Sequence, residues 1–136
     1  MEIKVNLNKL EFRVRYSHTD HFGVIYYGRY LDWLEAGRTE ILRENGISYA
    51  DYEKRGLFAP VVKLEIEYKK PAKYDEIIVL ETRIERIGNS SVEFSYKLYR
   101  KGDNALVAGG KTVNVFIKKN GEKARVPDDV RNILED

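Results

Sequence analysis

Cysteine is absent from the 136-residue chain, and histidine occurs only twice, as His18 and His21. Each scarcity closes a line of chemistry. Without cysteine there is no disulfide framework, no thiol nucleophile and no cysteine-ligated zinc. With two imidazoles, a binuclear zinc site that needs three or more cannot be filled. No run approaches the ~18 continuous apolar residues of a membrane span. The opening "MEIKVNLNKL" has no signal-peptide layout, so the expectation is a cytoplasmic protein without a membrane span. Neither sign of charge dominates: 24 basic residues stand against 22 acidic ones, for a net charge of +2. That leaves no broad basic field for nucleic acid. Small groups of lysines remain, Lys69, Lys70 and Lys73 in one and Lys118, Lys119 and Lys123 in the other. They serve either a phosphorylated small molecule or the guarding of sheet edges.

What is present suits one soluble domain over residues 1–136. A chain of this size buries roughly two-thirds of its unfolded surface, and 43% of its residues are apolar. "LEFRVRYSHTD" alternates, with Leu10, Phe12, Val14 and Tyr16 on one face, which predicts a half-buried strand. If that extension continues, His18 and Asp20 leave on the core side. From about Tyr26 to Asn45 the period becomes helical, and Asn45-Gly46 supplies the stop. Gly37 lies inside the apolar stripe, where it predicts a close backbone approach. A short second helix is expected over "SYADYEKRG".

Alternation returns beyond that point. Val62, Leu64, Ile66 and Tyr68 share a face, as do Ile78, Leu80, Thr82 and Ile84, and then Val92, Phe94, Tyr96 and Leu98. A last strand follows in "ALVAGGKTVNVFIKK", and "VPDDVRNILED" predicts a short terminal helix. The outline is a strand, a long helix and four more strands joined as an antiparallel sheet. It belongs to the α+β class.

The stretch "YSHTDHFGVIYYGRY" gathers both histidines around Asp20. Its "HTDH" resembles the tail of the H-x-H-x-D-H zinc motif, but Tyr16 occupies the first histidine position. No G-x-S-x-G elbow accompanies it, and no phosphate-binding glycine loop occurs. Two readings remain open. Asp20 either caps backbone amides in a polar turn that Gly23 allows, or acts as a catalytic carboxylate beside the free amides of a helix start. The second reading suits a thioester, because a thiolate whose conjugate acid has a pKa of about 8.5 leaves without a strong general acid.

Residues 14–42, "VRYSHTDHFGVIYYGRYLDWLEAGRTEIL", resemble the signature of the 4-hydroxybenzoyl-CoA thioesterase family, hotdog-fold acyl-CoA thioesterases that include the Tol-Pal-associated enzymes. The carrying pattern is T-D-x-x-G-x-x-Y-x-x-x-Y, supported by "VVKLEIEYKKPAKYDEIIVLETRI". The resemblance implies a curved antiparallel five-stranded sheet wrapped around one long central helix. It also implies a homodimer or homotetramer with sites at subunit interfaces, an acyl-CoA substrate and no cofactor. Asp20 would be the nucleophile or general base, and the Tyr27 amide would polarise the carbonyl. His18, His21, Gly23, Tyr26 and Tyr30 would contact substrate. Tyr27 stands where many members carry histidine, and His21 and Phe22 replace smaller residues. Two alternatives on the same fold are a non-catalytic binder of acyl-CoA or a lipid-like ligand, and a dehydratase.

Overall fold

The period-two segments become strands and the period-3.6 segment becomes a helix in the computed structural model, which describes residues 4–135. In chain order the elements are β1 (Asn8–Arg13), α1 (Tyr30–Glu44), α2 (Tyr49–Lys54), β2 (Leu57–Phe58), β3 (Val61–Tyr68) and β4 (Ile77–Ile87). There follow β5 (Ser91–Arg100), β6 (Leu106–Val115), β7 (Ile117–Lys118) and α3 (Asp128–Arg131). Five strands form one antiparallel sheet in the order β1-β4-β5-β6-β3. The two-residue strands β2 and β7 pair separately, an addition that no periodicity announces.

Register follows from the apolar alternation, because a slip of one residue would turn every core side chain to the wrong face. Leu80 pairs with Leu98, Thr82 with Tyr96 and Ile84 with Phe94, and all six are buried. β1 adds Leu10 opposite Leu80 and Phe12 opposite Ile78. Helix α1 crosses this surface and buries Tyr30, Trp33, Leu34, Gly37, Ile41 and Leu42, a stripe at helical spacing. Each fully buried Leu or Ile in such a stripe contributes about 1.5–3 kcal/mol.

Gly37 sets how close α1 lies to the sheet. A Cβ built there would overlap the Thr82 hydroxyl and lie 3.0 Å from Leu80 Cδ2, so the close approach expected from the sequence is present. The helix seats on β1 and β4, the side of the sheet away from β3. On β3 a bulge between Val61 and Lys63 sets Val61, opposite buried Asn114, on the inward face in place of Val62; Ile66 packs on the core, while Val61, Leu64 and Tyr68 remain 42%, 44% and 48% exposed. Strand β3 is also the sheet's edge, so one flank of the chain combines open backbone with apolar side chains.

Two further expectations differ from the structure. The first strand ends at Arg13 rather than running on; Val14 is still buried, but Tyr16 is 78% exposed. A 3-10 turn over Tyr16–His18 breaks the extension. The helix does not begin at Tyr26, whose backbone is extended at φ −68 and ψ 127. A 3-10 turn over Tyr27–Arg29 leads into α1 instead.

The tight seating of α1 predicts the effect of Gly37→Ala. Its helix-propensity gain of up to ~1 kcal/mol is outweighed by overpacking, which costs about 1–3 kcal/mol. The melting temperature should fall by a few degrees, and adding Thr82→Ala should recover most of the loss. A rise in melting temperature for Gly37→Ala alone would contradict this packing.

Candidate active site

The stretch from Val14 to Arg29 is built by local hydrogen bonds. His18 folds back so that its Nδ1 accepts the Arg15 N–H at 3.0 Å, and its ring meets Trp33 edge to face at 5.8 Å. Burial, and then the nearby cations of Arg29 and Arg15, lower the His18 pKa below its ordinary 6.5. His18 is thus a neutral structural imidazole near pH 7. Folding linked to it is strongest above pH 6.5 and weakens as the pH falls through its lowered value.

Thr19 and Ile25 then bridge as a small hairpin, and Asp20 organises its turn. The Asp20 amide donates to Val24 O at 2.9 Å, and Gly23 N–H donates to Asp20 O at 3.2 Å. Carboxylate oxygen Oδ1 accepts the Phe22 amide at 2.8 Å. Gly23 closes the turn at φ +75, a conformation that costs glycine little. The other carboxylate oxygen takes no hydrogen bond from the described residues. The polar-turn reading and the catalytic reading of Asp20 therefore do not compete, since one oxygen holds the turn and the second is left available.

The hairpin is tied to the chain beyond β3. Ile25 N–H donates to Ala72 O at 2.7 Å, and Val24 bridges Lys73. Asp20 is thereby carried to the end of β3, where it lines one open groove with Tyr27, Tyr30, Tyr68, Lys69 and Lys70. The Tyr68 hydroxyl donates to Tyr27 O at 3.2 Å, and the Tyr68 ring meets those of Tyr27 and Tyr30 at 5.8 and 5.4 Å. Burial pushes the Tyr30 hydroxyl up to about 12 and also raises Tyr68, so both phenols stay neutral at ordinary pH.

Tyr27 and Gly28 open the 3-10 turn before α1. Their amides find no acceptor among the described residues, whereas the next amide, Arg29 N–H, donates to Tyr26 O at 2.9 Å. Free donors at a helical start are able to stabilise developing negative charge.

The residues singled out from sequence are thus sorted by position. Asp20, Tyr27 and Tyr30 share the groove. Tyr26 stacks on Tyr27 at 4.8 Å and is exposed. His18 lies against Trp33, outside the residues that line the groove. His21 and Gly23 sit in the exposed turn. Tyr68 was not anticipated; only its place at the end of an alternating strand beside Lys69 and Lys70 hinted at it. Among the described residues no group of three His, Asp or Glu is arranged to hold a metal ion. Nor is any described helix long and apolar enough to cross a membrane.

A second pocket, of about 240 Å³, opens beside the later turns of α1, and Arg38, Tyr49, Phe94, Asn114 and Phe116 are among its walls. Sequence reasoning missed it. The available signal was Asn114, a polar residue at an inward position of β6, buried to 8% exposure. Its Nδ2 donates to Ala59 O at 2.7 Å, while its Oδ1 has no partner among the described residues. Leaving a buried acceptor unpaired costs about 1–3 kcal/mol.

Residues 14–134 match the model of the Thioesterase-like superfamily. The chain belongs to this superfamily. YneP of Bacillus subtilis (strain 168) is 40% identical to it over 95 residues, 70% of this chain and 69% of that protein. The acyl-CoA thioesterase YbgC of Haemophilus influenzae is 36% identical over 104 residues, 76% of this chain and 74% of that one. The crystal structure of DHNA-CoA thioesterase from Staphylococcus aureus superposes with a TM-score of 0.87 at 30% identity, covering 93% of this chain and 87% of that one. The thioesterase resemblance and the hotdog architecture expected from sequence are both borne out.

Proposed function

We propose that the protein hydrolyses the thioester bond of an acyl-CoA, releasing the free acid and CoA. The observation that carries this reading is the groove in which the Asp20 carboxylate, with one oxygen uncommitted, stands with the turn that presents the free Tyr27 and Gly28 amides. The named activity of the Haemophilus relative supports it. In this reading the carbonyl oxygen of the thioester accepts from the amides, which stabilise it as it becomes negative. Asp20 either attacks the carbonyl carbon or takes a proton from the water that does. The carbon–sulfur bond breaks, the thiolate is protonated, and water supplies the second carboxylate oxygen of the product. Lys69 and Lys70 stand at the groove, where the anionic CoA carrier would enter.

The active unit in this proposal is a dimer or a multiple of one, formed through β3. Groove and pocket lie at opposite ends of that strand, by Tyr68 and by Val61, about 23 Å apart at the rise of an extended strand. A short acyl group cannot use both within one chain. Antiparallel pairing of β3 with its copy about a twofold near the strand's middle brings Tyr68 of one chain beside Val61 of the other. It also covers Val61 and Leu64. Each site then joins the groove of one chain to the pocket of its mate.

Substitution separates these roles. Asp20→Asn can still accept the Phe22 amide, so the turn should persist while turnover of acyl-CoA, read as thiol release, falls ~100-fold or more. Tyr27→Phe should change the rate less than about tenfold. Tyr27→Pro should cost ~100-fold, the scale of a lost oxyanion donor; Tyr26 already has the extended backbone that precedes proline. Wild-type turnover in Asp20→Asn, or equal damage from Phe and Pro in folded protein, would overturn the assignments.

Light scattering at low micromolar concentration should report a dimer or a multiple of it. A fully active monomer would contradict the shared site.

A further inference from the structure

We propose that the end of the molecule formed by Tyr16, Phe22 and Tyr74 docks on an anionic lipid surface, with the three rings among the headgroups and the neighbouring bases on the phosphates. Docking of this kind is independent of the thioesterase reading. Phe22 is 89% exposed, Tyr16 78% and Tyr74 55%, although all three are large rings whose burial would be favourable. Exposed hydrophobics scattered singly need no explanation, whereas a cluster of them marks a contact surface.

Local bonds gather the three into one place. The rings of Tyr16 and Tyr74 meet edge to face at 5.7 Å, and the Asp75 amide donates to Val14 O at 2.9 Å. The hairpin that carries Phe22 runs antiparallel to the same segment, with Ile25 N–H donating to Ala72 O and Val24 bridging Lys73. Continued by one residue, that register sets Gly23 level with Tyr74 and carries the tip, with Phe22, towards it. Phe22 is held there by its amide, which donates to Asp20 Oδ1 at 2.8 Å, so the exposed ring projects from a braced turn. Val14 N–H bonds to Glu76 O, just before β4, so Tyr16 and Tyr74 stand by the ends of β1 and β4. Strand β3 is the opposite edge of the sheet, and the dimer contact through it is a different surface.

Charge decides what the patch meets. Residues 13–30 and 69–76 hold six Lys and Arg against three Asp and Glu. The whole chain carries only +2, so everything outside these segments is slightly acidic. The three acids are engaged: Asp75 pairs with Arg13 at 3.1 Å, Glu76 accepts the Lys73 amide, and Asp20 accepts that of Phe22. Arg15 and Lys73 each precede a tyrosine of the patch and are exposed. Neither has an ion pair among the described residues. Projecting rings flanked by free bases suit a membrane–water interface, where aromatic rings settle at headgroup level and Lys and Arg meet anionic lipid. A fluid lipid surface also takes a projecting ring without a preformed recess. A second copy fits less well, because pairing the patch with itself would oppose Arg15 and Lys73 to their own copies.

The test is co-sedimentation of the wild-type protein with vesicles of phosphatidylcholine alone and of phosphatidylcholine mixed with phosphatidylglycerol. Capture is expected with the mixed vesicles only, and it should fall as salt is raised. Phe22→Ser combined with Tyr16→Ser leaves the backbone bonds of the turn in place and should weaken capture about tenfold or more. Arg15→Gln combined with Lys73→Gln should weaken it by a similar factor. Thermal melts report whether the pairs are folded, and the single substitutions replace a pair that is not. No capture by the mixed vesicles, equal capture by both kinds, or unchanged capture in the folded variants would overturn the proposal. Light scattering without lipid decides against the rival occupant. The Phe22→Ser, Tyr16→Ser pair should keep the wild-type mass, and a smaller assembly would overturn the proposal by making the patch a contact between copies.

Discussion

Helix α1 is pressed onto β4 at Gly37, where no side chain separates its backbone from Thr82 and Leu80, and much of the molecule follows from that contact. It seats the helix on the β1 and β4 side of the sheet. Val61, Leu64 and Tyr68 on the inward face of β3 are then left partly exposed, and the space beside α1 remains open as a groove near its start and a pocket near its end. A helix centred over the sheet would have buried β3 and closed both. Apolar burial dominates folding energetics, so the exposed side chains of β3 form a surface with reason to meet a second copy.

The chemistry of the groove is held by the same bonds that hold its shape. Asp20 uses one carboxylate oxygen to close its turn, and the hairpin is anchored by Ile25, which is buried and bonded to Ala72. The uncommitted oxygen, the reacting one in the proposed function, therefore sits on a braced turn rather than on a free loop, and the amides of Tyr27 and Gly28 are fixed by the entry into α1. Preorganised donors of this kind need little rearrangement as charge develops. His18, a substrate contact in the family resemblance, serves the local structure: its ring packs on Trp33 and its nitrogen satisfies the Arg15 amide.

Much of this was legible in the sequence, for reasons that differ by element. The alternations of β4 and β5 predicted their buried faces, because each is a central strand with one side on the core. The long helix and its stop after Glu44 were equally clear, since Asn45 reaches back to Ile41 O at 2.8 Å. The end of β1 was not legible, because it depends on His18 folding back onto Arg15 and on Trp33 arriving from α1. Asp20 and Tyr27 were reached through the family resemblance together with local pattern. Tyr68 and Asn114 were out of reach because their neighbours come from distant segments, Tyr27 and Tyr30 in one case and Ala59 in the other. The short pair β2–β7 spans two residues on each side, too few for any period to show.

The central claim is that the thioester carbonyl is held at the start of the helical segment and faced by Asp20. It is tested most directly by a crystal structure of the protein with a non-hydrolysable acyl-CoA analogue in which a methylene group separates carbonyl and sulfur. The account predicts the carbonyl oxygen about 2.7–3.1 Å from the Tyr27 or Gly28 amide nitrogen, with the uncommitted Asp20 oxygen approaching the carbonyl carbon directly or through one water. A carbonyl bound away from both amides, with Asp20 facing solvent, would contradict it.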